Sequence, residues 1–503
     1  MSFAAYAVLW VALVVAAGLL AVIRGRPRFT WAMILALPAA VFILWLLARP
    51  ASATTAWAFA GRQWAIDEPA WQLTGITLLL LLAAVAHFAL HRRNGDEQQP
   101  VWLFALAAAA LPVVWAADAW TRVLGLGLLA LVWAASIAFD RSRGPDDLGR
   151  RLIPALPFAP ALFSLWLAGV LPTAALPFSL LAAVLLFCVQ PPGNLTASEK
   201  TALDLLRGGL PLVAGAAVLL AALRGVVPSG AAVAAATALG LLGLVIGLWR
   251  AWYQWPERLP QALGLALCGL LLTAAVWAGP AALLPAARLA VFAPALLVVA
   301  NALRPSEGTV TRVRWAITPQ AIAVAAVLLA VAGLPLTVGS GVLAPLYEAW
   351  LASGGWVLLA VTVILLTIWL ATLFGVARLL INDGAPAGRI GWLRGLAQLP
   401  LLAGLVHFNT AALGLGVVVW VAIGLPIMAG LLLGRFAPAP ETLGGLLREA
   451  ATLPPPAATR LTQRARQAGR ATYEALGDAL AILEGEYGLL WLLGLLLLLL
   501  WLA

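Results

Sequence analysis

The chain has 503 residues, of which 64% are hydrophobic and 10% charged, and its formal net charge is +10 at pH 7. A soluble domain carries about a quarter charged residues, so a mean hydropathy of +1.02 leaves more apolar surface than water tolerates. This composition excludes a soluble domain and predicts an integral membrane protein. Cys188 and Cys268 lie in or at the end of apolar runs, and we interpret them as small buried hydrophobes, not as metal ligands or a disulfide.

Apolar runs of about twenty residues, each long enough to cross a hydrocarbon core of about 30 Å, recur from end to end. They predict about sixteen transmembrane helices and an all-α polytopic fold. The predicted spans are 4–23, 31–47, 73–90, 101–117, 123–139, 153–170, 174–189, 210–223, 231–248, 261–278, 281–299, 316–335, 356–380, two within 396–433, and 487–502.

The short loops between these runs carry most of the arginines, and successive loops lie on alternate sides of the membrane. If the loop after the first span is cytoplasmic, the basic groups near residues 24–28, 92–93, 141–151 and 435–470 all fall inside. Only Arg49, Arg62, Arg122, Arg224 and Arg288 fall outside. This asymmetry follows the positive-inside rule. It puts both termini on the outer side, and we expect the membrane to be the bacterial inner membrane.

The apolar run Ala323 to Leu343 contains the sequence Gly-Leu-Pro followed by a stretch rich in Gly, Ser and Thr. Proline removes a backbone donor and clashes with the preceding turn, whereas glycine lets the chain bend. We therefore expect a broken helix here. In a bilayer such a break is tolerated only where protein or a water-filled cavity surrounds it.

The segment 437–486 is more polar than the rest. Arg466, Arg470, Glu474 and Asp478 recur every four residues, which places them on one helical face. The sequence thus divides into a transmembrane bundle over 1–436, an amphipathic cytoplasmic or lateral segment over 437–486 and a final span over 487–503.

Ionisable residues inside membrane spans are costly and usually functional. The chain has a single lysine, Lys200, in a predicted loop. The candidate intramembrane polar residues are His407, Arg224 and Arg288. We interpret His87 as interfacial and the tryptophans inside spans, Trp115, Trp133, Trp166 and Trp369, as space-filling. No motif predicts a catalytic, cofactor-binding or metal site.

Several stretches, in order, resemble the antiporter-type membrane subunits of respiratory complex I, membrane-bound hydrogenases and multisubunit cation/proton antiporters. The stretches are Trp64 to Pro69, Leu124 to Phe139, Leu181 to Pro192, Leu212 to Arg224 and the broken run Ala323 to Leu343. This resemblance implies two inverted five-helix repeats with broken helices, partner membrane subunits, and proton or cation translocation by the assembly.

The sequence departs from that family at its working residues. The resemblance places Trp133 where the family carries a buried glutamate, and Phe187 and Leu343 where it carries lysines. The eighth span, 210–223, holds no ionisable group. A proton path needs titratable groups within reach of one another. We therefore expect a structural or coupling subunit that has lost its relay, and at most a non-catalytic part of a proton-translocating oxidoreductase.

Two other functions stay open at this stage. A stand-alone secondary transporter would also use broken helices at its binding site. A polytopic lipid-linked glycosyltransferase could use Asp67 and Glu68, an acidic pair in an outer loop, as a base or to hold a metal.

Overall fold

The computed structural model describes residues 3–22, 27–50, 55–59, 62–91, 99–138, 152–189, 202–224, 229–253, 259–303, 318–382, 395–407 and 416–436. The predicted amphipathic segment 437–486, the final span 487–503 and Lys200 lie outside these residues.

The described chain is a bundle of α-helices. In order they are α1 Phe3–Val22, α2 Pro27–Leu47, α3 Glu68–His91, α4 Gln99–Trp115, α5 Ala119–Ala138, α6 Phe158–Val170, α7 Ala175–Phe187, α8 Ala202–Ala222, α9 Gly230–Tyr253, α10 Leu259–Trp277, α11 Pro280–Ala302, α12 Pro319–Val331, α13 Ser340–Ala352, α14 Trp356–Asn382, α15 Leu399–Leu405 and α16 Val417–Phe436.

These helices confirm the predicted polytopic membrane fold. Each of the first fifteen predicted spans coincides with a described helix, the twelfth with α12 and the start of the break that follows it. Within the described residues, 10 helices are long and apolar enough to cross a membrane. The prediction of two helices within 396–433 is confirmed by α15 and α16.

A short β-hairpin, absent from the prediction, precedes α3. Its strands, β1 Thr55–Phe59 and β2 Arg62–Ile66, pair antiparallel. The end of β2 also meets the turn between α4 and α5, because Trp64 bridges Ala116 and the N–H of Ala117 donates to the carbonyl of Gln63 at 3.2 Å. We call this side of the bundle the hairpin end.

Two tryptophans join α2 to α3 near the hairpin end. The rings of Trp45 and Trp71 stack at 4.5 Å, and each indole N–H donates to the other residue's carbonyl oxygen, at 2.9 and 3.0 Å. Gly75 leaves the space that the ring of Trp45 occupies. The guanidinium of Arg49 lies 5.2 Å from the centre of the Trp71 ring, a cation–π distance.

The helices α3, α8, α10 and α11 form the centre of the bundle, and α1, α6, α9 and α16 form its periphery. Peripheral helices present large apolar side chains outward, as a lipid environment requires. Trp115, Trp133 and Trp369 are buried, as predicted. Trp166 is 41% exposed on α6, so its assignment as a space-filling residue was wrong: it lies on a peripheral face.

The close packing of α9 on α10 depends on glycines. A Cβ on Gly269 would clash with the main chain of Gly240, and a Cβ on Gly247 would lie 2.7 Å from the carbonyl oxygen of Ala262. Small residues of this kind let membrane helices approach closely, which strengthens their dispersion contacts. The pair α9 and α10 therefore tolerates no added volume at this contact.

We predict that Gly269→Ala lowers the thermal unfolding temperature of the detergent-solubilised protein, because the added methyl forces the two helices apart and costs about 1–3 kcal/mol. Gly127→Ala is the matched control, since nothing lies within 4 Å of a Cβ at Gly127 on α5. An unchanged melting temperature for Gly269→Ala would show that α9 and α10 pack differently.

Candidate functional site

The helix break predicted from Gly-Leu-Pro lies between α12 and α13 and is confirmed. Gly333 and Leu336 adopt positive φ angles of 75° and 72°, which glycine accommodates and leucine rarely does. A Cβ on Gly339 would clash with the carbonyl of Ala330, so only glycine fits where the chain returns toward α12. The hydroxyl of Thr337 donates to the carbonyl of Leu334 at 2.7 Å and holds the turn.

The break is paired with a second non-helical segment, at the end of α15. The N–H of Val338 donates to the carbonyl of Leu405, and the N–H of His407 donates to the carbonyl of Leu336, each at 2.9 Å. Thr337 and Val406 form an antiparallel bridge between these two bonds. We call residues 336–338 together with 405–407 the junction. Each segment supplies main-chain partners that the other lacks.

Arg288 on α11 completes the junction. Its Nε donates to the carbonyl of Gly404 at 3.0 Å and its Nη2 to the carbonyl of Val406 at 2.7 Å. These carbonyls belong to the C-terminal end of α15, where helical carbonyls lack intrahelical partners and a cation is favoured. Arg288 thus acts as the cap of the short helix α15 at the junction.

His407 packs at the same place. A Cβ on Gly341 would lie 3.0 Å from its Cδ2 and 3.1 Å from its Nε2, and the same Cβ would lie 3.0 Å from Pro285. The imidazole therefore lies against the first turn of α13 and close to α11. Two of the three predicted candidates, Arg288 and His407, are brought together, whereas Arg224 is elsewhere.

Arg224 follows α8 at the hairpin end, where it forms an ion pair with Asp67. A second pair joins Arg49 to Glu68 at 3.2 Å. Asp67 also accepts from the N–H of Ala70 at 2.9 Å, which makes it the N-cap of α3. The acidic pair Asp67-Glu68 is therefore engaged in helix capping and ion pairing.

Asp118 caps α5 beside these ion pairs. Its carboxylate accepts from the N–H of Thr121 at 2.8 Å and from the N–H of Gln63 at 3.2 Å. Partial burial raises the pKa of the Asp118 carboxyl, but the hydrogen bonds that it accepts outweigh burial, so the pKa lies below its ordinary value. These contacts fasten the hairpin to α5.

A second buried polar cluster lies at the opposite end of the bundle. Arg207 on α8 is fully buried, and its Nη1 lies 3.3 Å from a carboxylate oxygen of Asp204, which is almost as buried. The Arg207 guanidinium also donates to both the hydroxyl (3.0 Å from Nε) and the carbonyl of Ser136 on α5. The indole of Trp133 donates to the carbonyl of Arg207 at 2.9 Å.

Sequence reasoning missed this cluster. The eighth span was expected to begin at Leu210, with Asp204 and Arg207 in the preceding loop, but α8 begins at Ala202 and contains both. The expectation that this helix holds no ionisable group was therefore wrong. The apolar residues that flank the two charges, Ala202-Leu203 and Leu205-Leu206, were the available signal. Helical spacing of three residues lets the two side chains meet.

Apolar side chains pack at the three positions where the resemblance implied that the family's glutamate and lysines are replaced. Trp133, Phe187 and Leu343 are buried. Phe187 fits against Gly215 on α8, and Leu343 fits against Gly333 in the break. At these positions aromatic and aliphatic side chains fill the space between the helices.

A cavity of about 70 Å³ adjoins the Asp204 cluster, between α7, α8, α10 and α11. Asp204 and Gln261 are the polar side chains on its wall, which is otherwise apolar. The described residues contain no group of three or more His, Cys, Asp or Glu that could hold a metal ion.

Comparison with known proteins places this architecture among solved membrane complexes. No protein-family model matches the chain, and no curated protein matches it. A subunit of the Mrp complex from Dietzia sp. DQ12-45-1b superposes with a TM-score of 0.66 at 18% identity, over 97% of this chain and 62% of that subunit. The chain thus spans less than two thirds of that subunit's length.

Two further structures are similar. A subunit of the membrane-bound sulfane sulfur reductase, an archaeal respiratory membrane complex, superposes with a TM-score of 0.53 at 13% identity, over 85% of this chain and 75% of that one. A chain of respiratory complex I from Thermus thermophilus superposes with a TM-score of 0.48 at 20% identity. The Mrp and sulfane sulfur reductase superpositions show that the protein has the polytopic helical fold of these membrane subunits, as its sequence predicted.

We predict that Arg207→Met destabilises the protein by about 3–5 kcal/mol, because it leaves the Asp204 carboxylate buried without its cation. The double variant Asp204→Leu/Arg207→Met should be less destabilised than Arg207→Met alone, since it removes both charges. Thermal unfolding of the two variants in the same detergent measures the difference. Equal or larger loss in the double variant would contradict a charge-compensated pair.

Proposed function

We propose that this chain is a membrane-arm subunit of a complex I-like or antiporter-type assembly that translocates protons or cations, and that its own role there is structural or coupling. The observation that carries this proposal is the chemistry of the charges inside the bundle. Among the described helices, the charged side chains buried or half-buried away from the hairpin end include Arg207, Arg288 and Asp204.

Arginine is a poor proton carrier because its pKa exceeds about 12 and it stays charged in proteins. Asp204, the carboxylate of this group, is ion-paired with Arg207. Of the other two carboxylates on the described helices, Glu68 lies in the first turn of α3 and Glu348 is exposed on α13. This distribution supports a bundle whose interior charges hold helices together.

The assembly is proposed from the fold. Two of the superpositions are with subunits of multisubunit membrane complexes, so we propose that this chain is bound to other membrane subunits and surrounded by lipid. The arginine distribution supports an orientation with both termini outside, and we propose that the membrane is the bacterial inner membrane. The segments 437–486 and 487–503 are proposed, from sequence alone, to be a lateral amphipathic segment and a last span.

A stand-alone secondary transporter is the second candidate, and the junction is the observation that favours it. Transporters bind substrates where helices are interrupted, and the junction joins two interruptions beside Arg288 and His407. Against this candidate, the main-chain groups of the junction are used to pair the two segments. The glycosyltransferase alternative loses its motivation, because Asp67 and Glu68 are engaged with Arg224 and Arg49.

We predict that the purified chain, reconstituted in liposomes with a pH-sensitive dye inside, conducts protons no faster than protein-free liposomes. Purification in mild detergent from its native membrane should instead recover it with other polytopic subunits. A proton flux that His407→Ala abolishes would refute the structural role. Recovery as a single chain that moves a solute would favour the transporter.

A further inference from the structure

We propose that the junction is a pH-sensitive latch, which holds α15 against the α12–α13 break while His407 is neutral and releases it when the imidazole is protonated. This regulatory device is independent of the function proposed above, because it concerns how the bundle closes and not what the assembly transports.

Four hydrogen bonds form the latch. Two main-chain hydrogen bonds, Val338 to Leu405 and His407 to Leu336, join the two non-helical segments. Arg288 adds two bonds to the carbonyls of Gly404 and Val406. Because His407 itself donates one of the two main-chain bonds, movement of this residue breaks the pairing directly.

The surroundings of the imidazole favour its neutral form. Arg288 supplies a fixed positive charge in the same junction. The ring also contacts Gly341, the second residue of α13, and the N-terminus of a helix carries partial positive charge. An imidazolium here would meet two positive neighbours, the Arg288 guanidinium and the N-terminus of α13.

Among the described residues, the helices around α15 place no negatively charged side chain at the junction that could pair with an imidazolium at His407. The described residues of α12 and α15 carry no ionisable side chain. On α13 the ionisable groups are Tyr347, which is buried, and Glu348, which is exposed and two turns from Gly341. On α3 they lie at its two ends: Glu68, His87 and His91.

The direction of the pH effect follows because the described groups around the imidazole are positive or neutral. With the latch open, the imidazole is separated from Arg288 and from the N-terminus of α13, so a positive charge on it costs less. The closed form therefore loses stability as the pH falls, by up to tenfold in the open-to-closed ratio per pH unit.

The experiment measures the distance between nitroxide labels at Leu329 on α12 and Leu399 on α15, both exposed side chains, by double electron–electron resonance in liposomes. Cys188 and Cys268 are first replaced by alanine. We expect a single distance at about pH 7.5 and a growing population of longer distances at about pH 5.5, increased roughly tenfold by protonation of one site.

Three variants make the test specific. His407→Gln keeps a neutral polar group and should show one distance at both pH values. Gly341→Ala displaces the imidazole and should show longer distances already at neutral pH. His87 is a buried histidine on α3. Its variant His87→Gln is the matched control and should keep the full pH response.

Two results would overturn the latch. One is a distance distribution of the parent chain that does not change between the two pH values. The other is a pH response that persists in His407→Gln or disappears in His87→Gln, since either would place the sensing group outside the junction.

Discussion

The need to pair every main-chain polar group away from water determines how this bundle is built. In lipid, each unpaired N–H or C=O costs several kcal/mol, yet α12 and α15 both end at non-helical segments. The two ends solve the problem together, because residues 336–338 and 405–407 hydrogen-bond to each other and Arg288 donates to the remaining carbonyls. The same solution recurs where Arg207 donates to the carbonyl of Ser136.

Arginine suits this task better than lysine. Its planar guanidinium offers five donors and stays charged even when buried, so it can satisfy two carbonyls at once, as Arg288 does. A side chain that keeps its proton can stabilise the structure but cannot pass a proton along a pathway. Arg207, which is buried, and Arg288, which is half-buried, thus explain how packed and broken helices are stabilised, and they support the structural or coupling role that we propose.

Much of the fold was predictable from local sequence, and the site was predictable only in part. Hydropathy located the helices, and Gly-Leu-Pro located the break after Val331, because both signals act over one or two turns. The junction was not predictable, since Leu336 and His407 are distant in sequence. Arg207 was missed because two charged residues, Asp204 and Arg207, predict a loop when only local sequence is considered. The hydroxyl and carbonyl oxygens of Ser136 on α5, which allow Arg207 to be buried, lie on another helix. Arg224 was predicted to be an intramembrane candidate, but it follows α8 and pairs with Asp67, which is also distant in sequence.

We propose that no continuous polar path crosses the described part of this bundle. The most direct test is a cryo-electron microscopy map of the chain in a lipid nanodisc, at a resolution that shows ordered water. We expect isolated waters near Asp204 and near the junction, separated by the packed side chains of Trp133, Phe187 and Leu343. An unbroken chain of waters and polar side chains from one face of the bundle to the other would contradict the account.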